Sequence, residues 1–301
     1  MQSISVVLLV VLGAIWGASF LLIKIGAQEV APMTFATLRV AIGALTTAIV
    51  LVATRQDLRR FRAQWGHLVI MGLFGIALPF AAITWGTQHI PSSLSAILNG
   101  MMPIFTFLVV VINGSERATF RRFLGVSLGF AGTAVLVLPQ LSAADGHLGL
   151  LGALAVVMAA LSYAVAAVYA KRHVSHLPPQ LASFGQLLTA ALMLLPFAII
   201  EPSWRMAVTW RSIAPLLALG VVGTSLAYLI YYRLIRDAGA TFTSLVTYIS
   251  PPFGVFWGRA ILREPITWNV AAALGLITLG LLLVRAAPSA PRANASAIVG
   301  D

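Results

Sequence analysis

The chain contains no cysteine, which removes disulfides, thiolate metal ligands and cysteine nucleophiles from consideration. It is nearly as poor in charge. Only 9% of its 301 residues are Asp, Glu, Lys or Arg, and 60% are hydrophobic, whereas a soluble domain carries roughly 25% charged residues. With a mean hydropathy of +0.97, this inventory cannot cover a water-facing surface, and the bilayer is the solvent it suits. A soluble enzyme, a nucleic-acid module and a disordered linker are excluded on that ground. Acidic residues are the scarcest, 8 against 19 basic. A net charge of +11 in a soluble protein would point to nucleic acid. Here the basic residues sit in short clusters between apolar runs, where membrane proteins keep them.

Charge-free runs locate the spans, since a membrane helix needs about 20 mostly apolar residues. The longest, 63–115, holds two helices divided near His89-Ile90-Pro91, because proline disfavours helix at the residue before it and suits a first turn. The sequence thus predicts ten spans, at 4–24, 32–53, 66–88, 91–112, 122–139, 149–170, 179–200, 212–233, 240–258 and 267–285. The first run has neither a basic leader nor a small-residue cleavage site and reads as a helix. The basic clusters at 55–62, 117–122, 171–172, 233–236 and 285–292 fall on one face. Only Lys24, Arg205, Arg211, Arg259 and Arg263 fall on the other, and Arg39 lies within a span. The bias predicts both termini inside the cell.

The chain also repeats itself. At an offset of 147, Trp16 meets Tyr163, Lys24 meets Lys171, Pro32 meets Pro179 and Arg39 meets Gln186. At 148, Gly72 meets Gly220, Gly75 meets Gly223, Pro103 meets Pro251, Glu116 meets Glu264 and Gly132 meets Gly280. One inserted residue explains the change of offset. Each half then holds five helices, and an odd number sends the second half into the membrane from the opposite side. Inverted repeats around a midplane site are the architecture of secondary transporters.

These same residues carry a family resemblance. Gly13 to Phe20 (Gly-Ala-Ile-Trp-Gly-Ala-Ser-Phe) followed by Lys24, Pro32 and Arg39 resembles the opening of the EamA branch of the drug/metabolite transporter superfamily. Pro103, Ser115-Glu116-Arg117 and Gly125 to Gly132 resemble the close of its domain, which Leu262-Arg263-Glu264-Pro265 and Gly275 to Gly280 repeat. The resemblance implies an all-α polytopic protein of ten transmembrane helices in two inverted five-helix repeats. These would occupy 1–140 and 146–285, before a disordered cytoplasmic tail at 286–301. It further implies export of small metabolites, above all amino acids, across a bacterial inner membrane. The partners are then the solute and the lipid, with no cofactor, metal or nucleic acid. The second half departs from the pattern, with Tyr163 in place of tryptophan and Gln186 in place of arginine, so Trp16 and Arg39 serve one side only.

Candidate solute-binding residues follow from polarity at depth. Ser92, Ser95, Asn99 and Met102 share one face of the fourth span ahead of Pro103. Thr243, Thr247 and Ser250 take the equivalent places ahead of Pro251. Two polar faces ending at prolines suit kinked helices around a midplane site, although hydroxyls also bind helices to one another. Rings gather in the remaining helices: Trp16 and Phe20 with Ser19 beside them, Phe80, Tyr163, Tyr228 and Tyr231. They suit an ammonium group or an apolar side chain, or plain packing. Arg39, with Pro103 and Pro251, is a candidate for gating or for a substrate carboxylate, though two turns from a span end its stem is long enough to snorkel. Lys24 and Lys171 read as interfacial charges, and Glu116 and Glu264 as loop partners of the neighbouring Arg117 and Arg263.

Two alternative functions stand beside export. A lipid flippase needs a laterally open basic groove. An intramembrane enzyme needs clustered Asp, Glu or His at a membrane face, and the sequence offers none. Gly125-Val126-Ser127-Leu128-Gly129 imitates a nucleophile elbow, but it lies mid-helix, where Gly-x-x-x-Gly favours close helix packing. No acidic residue lies deep in a span, so a facilitator or exporter driven by the solute's own gradient, or one that couples ions weakly, is expected.

Overall fold

The computed structural model describes residues 2–56, 59–112, 119–141, 146–174, 176–201, 208–243 and 246–285, and among them it contains helices and no strand. The first half comprises α1 (Gln2–Gly26), α2 (Pro32–Ala53), the short α3 (Arg59–Ala63), α4 (Trp65–Gly72), α5 (Leu78–His89), α6 (Ser92–Asn99), α7 (Met102–Ile112) and α8 (Phe120–Leu141). The second comprises α9 (Gly146–His173), α10 (Pro179–Ile200), α11 (Trp210–Ala218), α12 (Ala227–Thr243), α13 (Val246–Leu262) and α14 (Trp268–Arg285). Among the described residues, seven continuous helical runs are long and apolar enough to cross a membrane, including Ile4–Gly26, Trp65–His89 and Trp210–Leu234. Large apolar side chains such as Leu45, Val52, Ile112 and Ile200 face outward, as a lipid-facing surface requires.

Two of these runs change pitch midway. A π-helical segment, Leu73–Ala77, joins α4 to α5, and another, Leu219–Leu226, joins α11 to α12. At the 148 offset the first falls inside the second. Such segments leave backbone groups without their regular partners and recur at functional sites. In the first, Pro79 has no N–H to offer the carbonyls one turn back. Those of Phe74 and Gly75 instead accept from the hydroxyls of Ser162, at 2.8 Å, and Tyr228, at 3.3 Å.

Two boundaries differ from the sequence expectation. The predicted loop at 234–239 is helix, because α12 runs on to Thr243 and α13 begins at Val246. The fourth span is broken at Gly100-Met101, a turn ahead of Pro103, which takes the second position of α7. Proline there needs no hydrogen bond, so the residues before it carry the break. Glu116, Arg117 and the tail 286–301 lie outside the described residues.

Helices from the two halves interleave. α2 packs along α10, α8 along α14, α1 along α13, and α9 along α6 and α7. Each pairing is its own counterpart, or the counterpart of another, under exchange of the halves. Glycine lets several come close. A Cβ on Gly17 would lie 2.7 Å from the Ser250 carbonyl oxygen, and one on Gly280 2.5 Å from that of Gly125. The Gly125-x-x-x-Gly129 run is thus a seat for α14, in keeping with its mid-helix position.

Candidate functional site

Arg39 anchors the interior. It is 4% exposed, so its stem does not snorkel; the guanidinium is held inside the bundle. Nε donates to Thr224 Oγ1 at 3.0 Å, in the second π-helical segment, and Cζ lies 4.1 Å from the centroid of the Phe80 ring. That stacking is a cation–π contact strengthened by the absence of water. Tyr163 and Tyr228 neighbour the same charge. The rings continue outward from Tyr228, which lies 5.9 Å from Trp16 and 6.5 Å from Tyr232, while Trp16 also meets Tyr231 at 5.6 Å. Tyr232 in turn donates to Gln186 Oε1 at 3.3 Å. Gln186, the equivalent of Arg39 in the repeat, is thus bonded within its own half, while its Oε1 would lie 3.7 Å from a Cβ on Gly75 in the π-helical segment of the first half; Arg39 meets the π-helical segment of the second. We call this packed cluster of rings and donors the chamber.

One end of the bundle is fastened by charge at helix termini. The first residues of a helix carry N–H groups without intrahelical partners, and neither Ala31 before α2 nor Pro91 before α6 supplies a side-chain cap. Carboxylates from the other half take their place. Glu201 accepts from the N–H groups of Met33 and Thr34 at 3.2 and 2.8 Å. Glu264 accepts from the N–H and hydroxyl of Ser92 at 2.8 and 2.9 Å and from the N–H of Ser93 at 3.0 Å. Glu29 accepts from the N–H and hydroxyl of Thr209, the cap of α11. Lys24 Nζ does the converse, donating to the Gln88 and Ile90 carbonyls at the C-terminal end of α5 at 3.0 Å each. Anions at N-termini and a cation at a C-terminus complement the helix dipole, more so where they are partly buried. All three carboxylate contacts join one half of the chain to the other.

Glu264 is therefore not the partner of its neighbour Arg263, and Lys24 is more than an interfacial charge. The sequence carried a signal for these fasteners: helices beginning at proline without a capping residue, in a chain with very few acids.

The structure gathers Trp16, Arg39, Phe80, Tyr163, Tyr228 and Tyr231 from the expected residues. Others are engaged elsewhere. Ser95 is fully buried and accepts from Thr87 Oγ1 at 3.0 Å, fastening α6 to α5. Ser19 donates to Ile15 O in its own helix. Phe20 and Met102 pack in an apolar cluster with Ile97 and Ile104. Asn99 closes α6 at the break, and its Oδ1 is buried without a hydrogen-bond partner. Pro251 lies inside α13, its Cγ 2.7 Å from where a Cβ on Gly100 would stand; Pro103 is the second residue of α7. Thr243 is buried and Ser250 half-buried, while the Thr247 side chain lies outside the described residues. Sequence reasoning passed over Thr224, Tyr232 and the two π-helical segments. No group of three or more metal-ligating side chains occurs among the described residues.

A membrane-embedded helical bundle enclosing rings and hydrogen-bond donors, fastened at one end between its halves, defines a solute-handling membrane protein. The chain belongs to the EamA-like transporter family, whose model matches it twice, at residues 3–138 and 150–286. It is similar to the uncharacterized transporter YoaV of Bacillus subtilis, 26% identical over 89% of this chain and 92% of that one. It is also similar to a probable amino-acid metabolite efflux pump of Salmonella typhimurium, 26% identical over 89% of this chain and 90% of that one. The fold is that of a protein known from a crystal structure, with a TM-score of 0.66 at 22% identity, covering 94% of this chain and 98% of that one. The family and these relatives mark the chain as a membrane transporter.

Proposed function

We propose that the protein is a secondary transporter that exports small metabolites, with amino acids foremost, across the cytoplasmic membrane by alternating access. Ten spans form two inverted five-helix domains, 1–140 and 146–285, with both termini in the cytoplasm. The fastened end then faces outward, opposite the basic clusters at 55–62 and 171–172. One observation carries the reading: a cluster of rings and donors draws on both halves, and the contacts fastening one end of the bundle join those halves. Rocking the halves apart would undo the Glu29, Glu201 and Glu264 contacts together and expose the chamber on that side. The printed name of the Salmonella relative supports amino acids as the solute class.

The test is counterflow in proteoliposomes loaded with a mixture of unlabelled amino acids. Accumulation of a labelled amino acid above that of protein-free vesicles is the expected result, and none for any of them overturns the reading. Asn99→Ala should lower the flux without loss of folded protein, because the buried Oδ1 has no structural partner to lose. Unchanged flux removes Asn99 from the path.

A further inference from the structure

We infer that the chamber is built for an organic anion, a small carboxylate with an apolar or aromatic body, and that Arg39 takes the carboxylate. The inference rests on the transport reading above and gives its passenger a charge.

The guanidinium has five N–H donors in a planar fork. Within the protein it makes one hydrogen bond, through Nε to Thr224, and no other described residue accepts from it. Phe80 covers one face of the fork, and no described residue accepts from its Nη groups. No carboxylate neutralises it among the described residues. Glu29, Glu201 and Glu264 are committed to the helix starts at the fastened end, and Asp237 pairs with Arg233. A buried cation without a counter-ion is costly in a medium of low dielectric, and an arriving anion removes that cost.

Gln186 is the second, independent observation. It is 1% exposed, its Oε1 is taken by the Tyr232 hydroxyl, and its Nε2 has no partner. At the two equivalent places of the repeat, then, the chamber holds donors without acceptors. Between them run the rings of Tyr228 and Tyr232, with Trp16 against Tyr228. Donor groups at the ends and rings along the way fit a body with acceptor oxygens and an apolar flank. The fixed positive charge opposes a cation of the same shape. Export of such an anion is favoured by the inside-negative potential, which accords with a transport path that has no acidic residue deep in a span.

The test uses four probes that share a phenyl ring and differ in charge: phenylacetate, phenylalanine, phenylacetamide and phenethylamine. Binding to the purified full chain in detergent is read by thermal stabilisation at matched concentrations. Phenylacetate should stabilise most, phenylalanine less, and the amide and amine little. Arg39→Gln should weaken phenylacetate roughly tenfold or more, the order set by a charge-assisted hydrogen bond. Arg39→Lys, which keeps the charge and loses the fork, should restore part of it. Equal stabilisation by the amide or amine, no stabilisation by phenylacetate, or indifference to Arg39→Gln with a folded variant overturns the inference. Binding is read without flux, so the two failures separate. Flux of phenylalanine that ignores Arg39 removes the anion site and keeps the exporter, whereas binding without counterflow does the reverse.

Discussion

Glu29 carries a testable consequence in its hydrogen bonds. Its carboxylate is held below the ordinary value of 4.5, first by the Thr209 hydroxyl, then by the Thr209 N–H. A depressed carboxyl group stabilises the folded protein fully above its unfolded pKa and loses that contribution as the pH falls through the lower, folded value. The α1–α11 fastening should therefore hold at neutral pH and weaken only below 4.5. Glu29→Gln should lower the thermal midpoint at pH 7, and the gap between variant and parent should close as acid protonates the parent. A gap that persists unchanged in acid would show that the charge plays no part. Arg39 belongs to the same scale. It was legible as the one formal charge well inside a span, but not its fate, because the acceptor that holds it lies at Thr224, 185 residues away. Pairings of that kind are set by packing between halves, which a linear reading does not contain.

Helices α1 and α13 meet where a glycine is required. A Cβ on Gly17 would stand 2.6 Å from the Phe253 Cβ and 2.7 Å from the Ser250 carbonyl oxygen, atoms that cannot yield without moving α13. Gly17→Ala should cost about 1–3 kcal/mol through overpacking, read as a lower thermal midpoint of the purified protein. Gly66→Ala, where nothing lies within 4 Å, should be neutral or slightly stabilising through helix propensity; equal losses at both positions would refute the close-approach account. Elements were largely legible from charge-free runs, because spanning helices need a fixed apolar length. Their interruptions were not. The break at Gly100-Met101 and the run-on of α12 to Thr243 depend on local hydrogen bonding that hydropathy does not register. The first π-helical segment lies just ahead of Pro79, whose missing N–H leaves two carbonyls to Ser162 and Tyr228, but Ala227 sits at the same place in the second half. One proline could not have located both.

The inverted relation proposed for the halves governs the scale of the whole molecule, and equivalent residues give it a direct measurement. Thr119-Phe120 and Thr267-Trp268 are 148 apart, each pair opening the last helix of its half, α8 and α14. The two rings are 81% and 78% exposed, as residues anchored at a membrane interface would be. In an inverted repeat these two interfaces are opposite faces of the bilayer; in a parallel repeat they are the same face. The chain has no cysteine of its own, so Thr119→Cys and Thr267→Cys each place a single thiol in it. A membrane-impermeant maleimide should label Thr267→Cys in intact cells, and Thr119→Cys only after permeabilisation. Thr267 follows Glu264, so the same labelling reports which side of the membrane the fastened end faces. Labelling of both from outside would make the halves parallel and remove the rocking exchange on which alternating access depends. Labelling of Thr119→Cys alone would keep the inversion and turn the fastened end toward the cytoplasm, so that the structure would be closed to the solute's source.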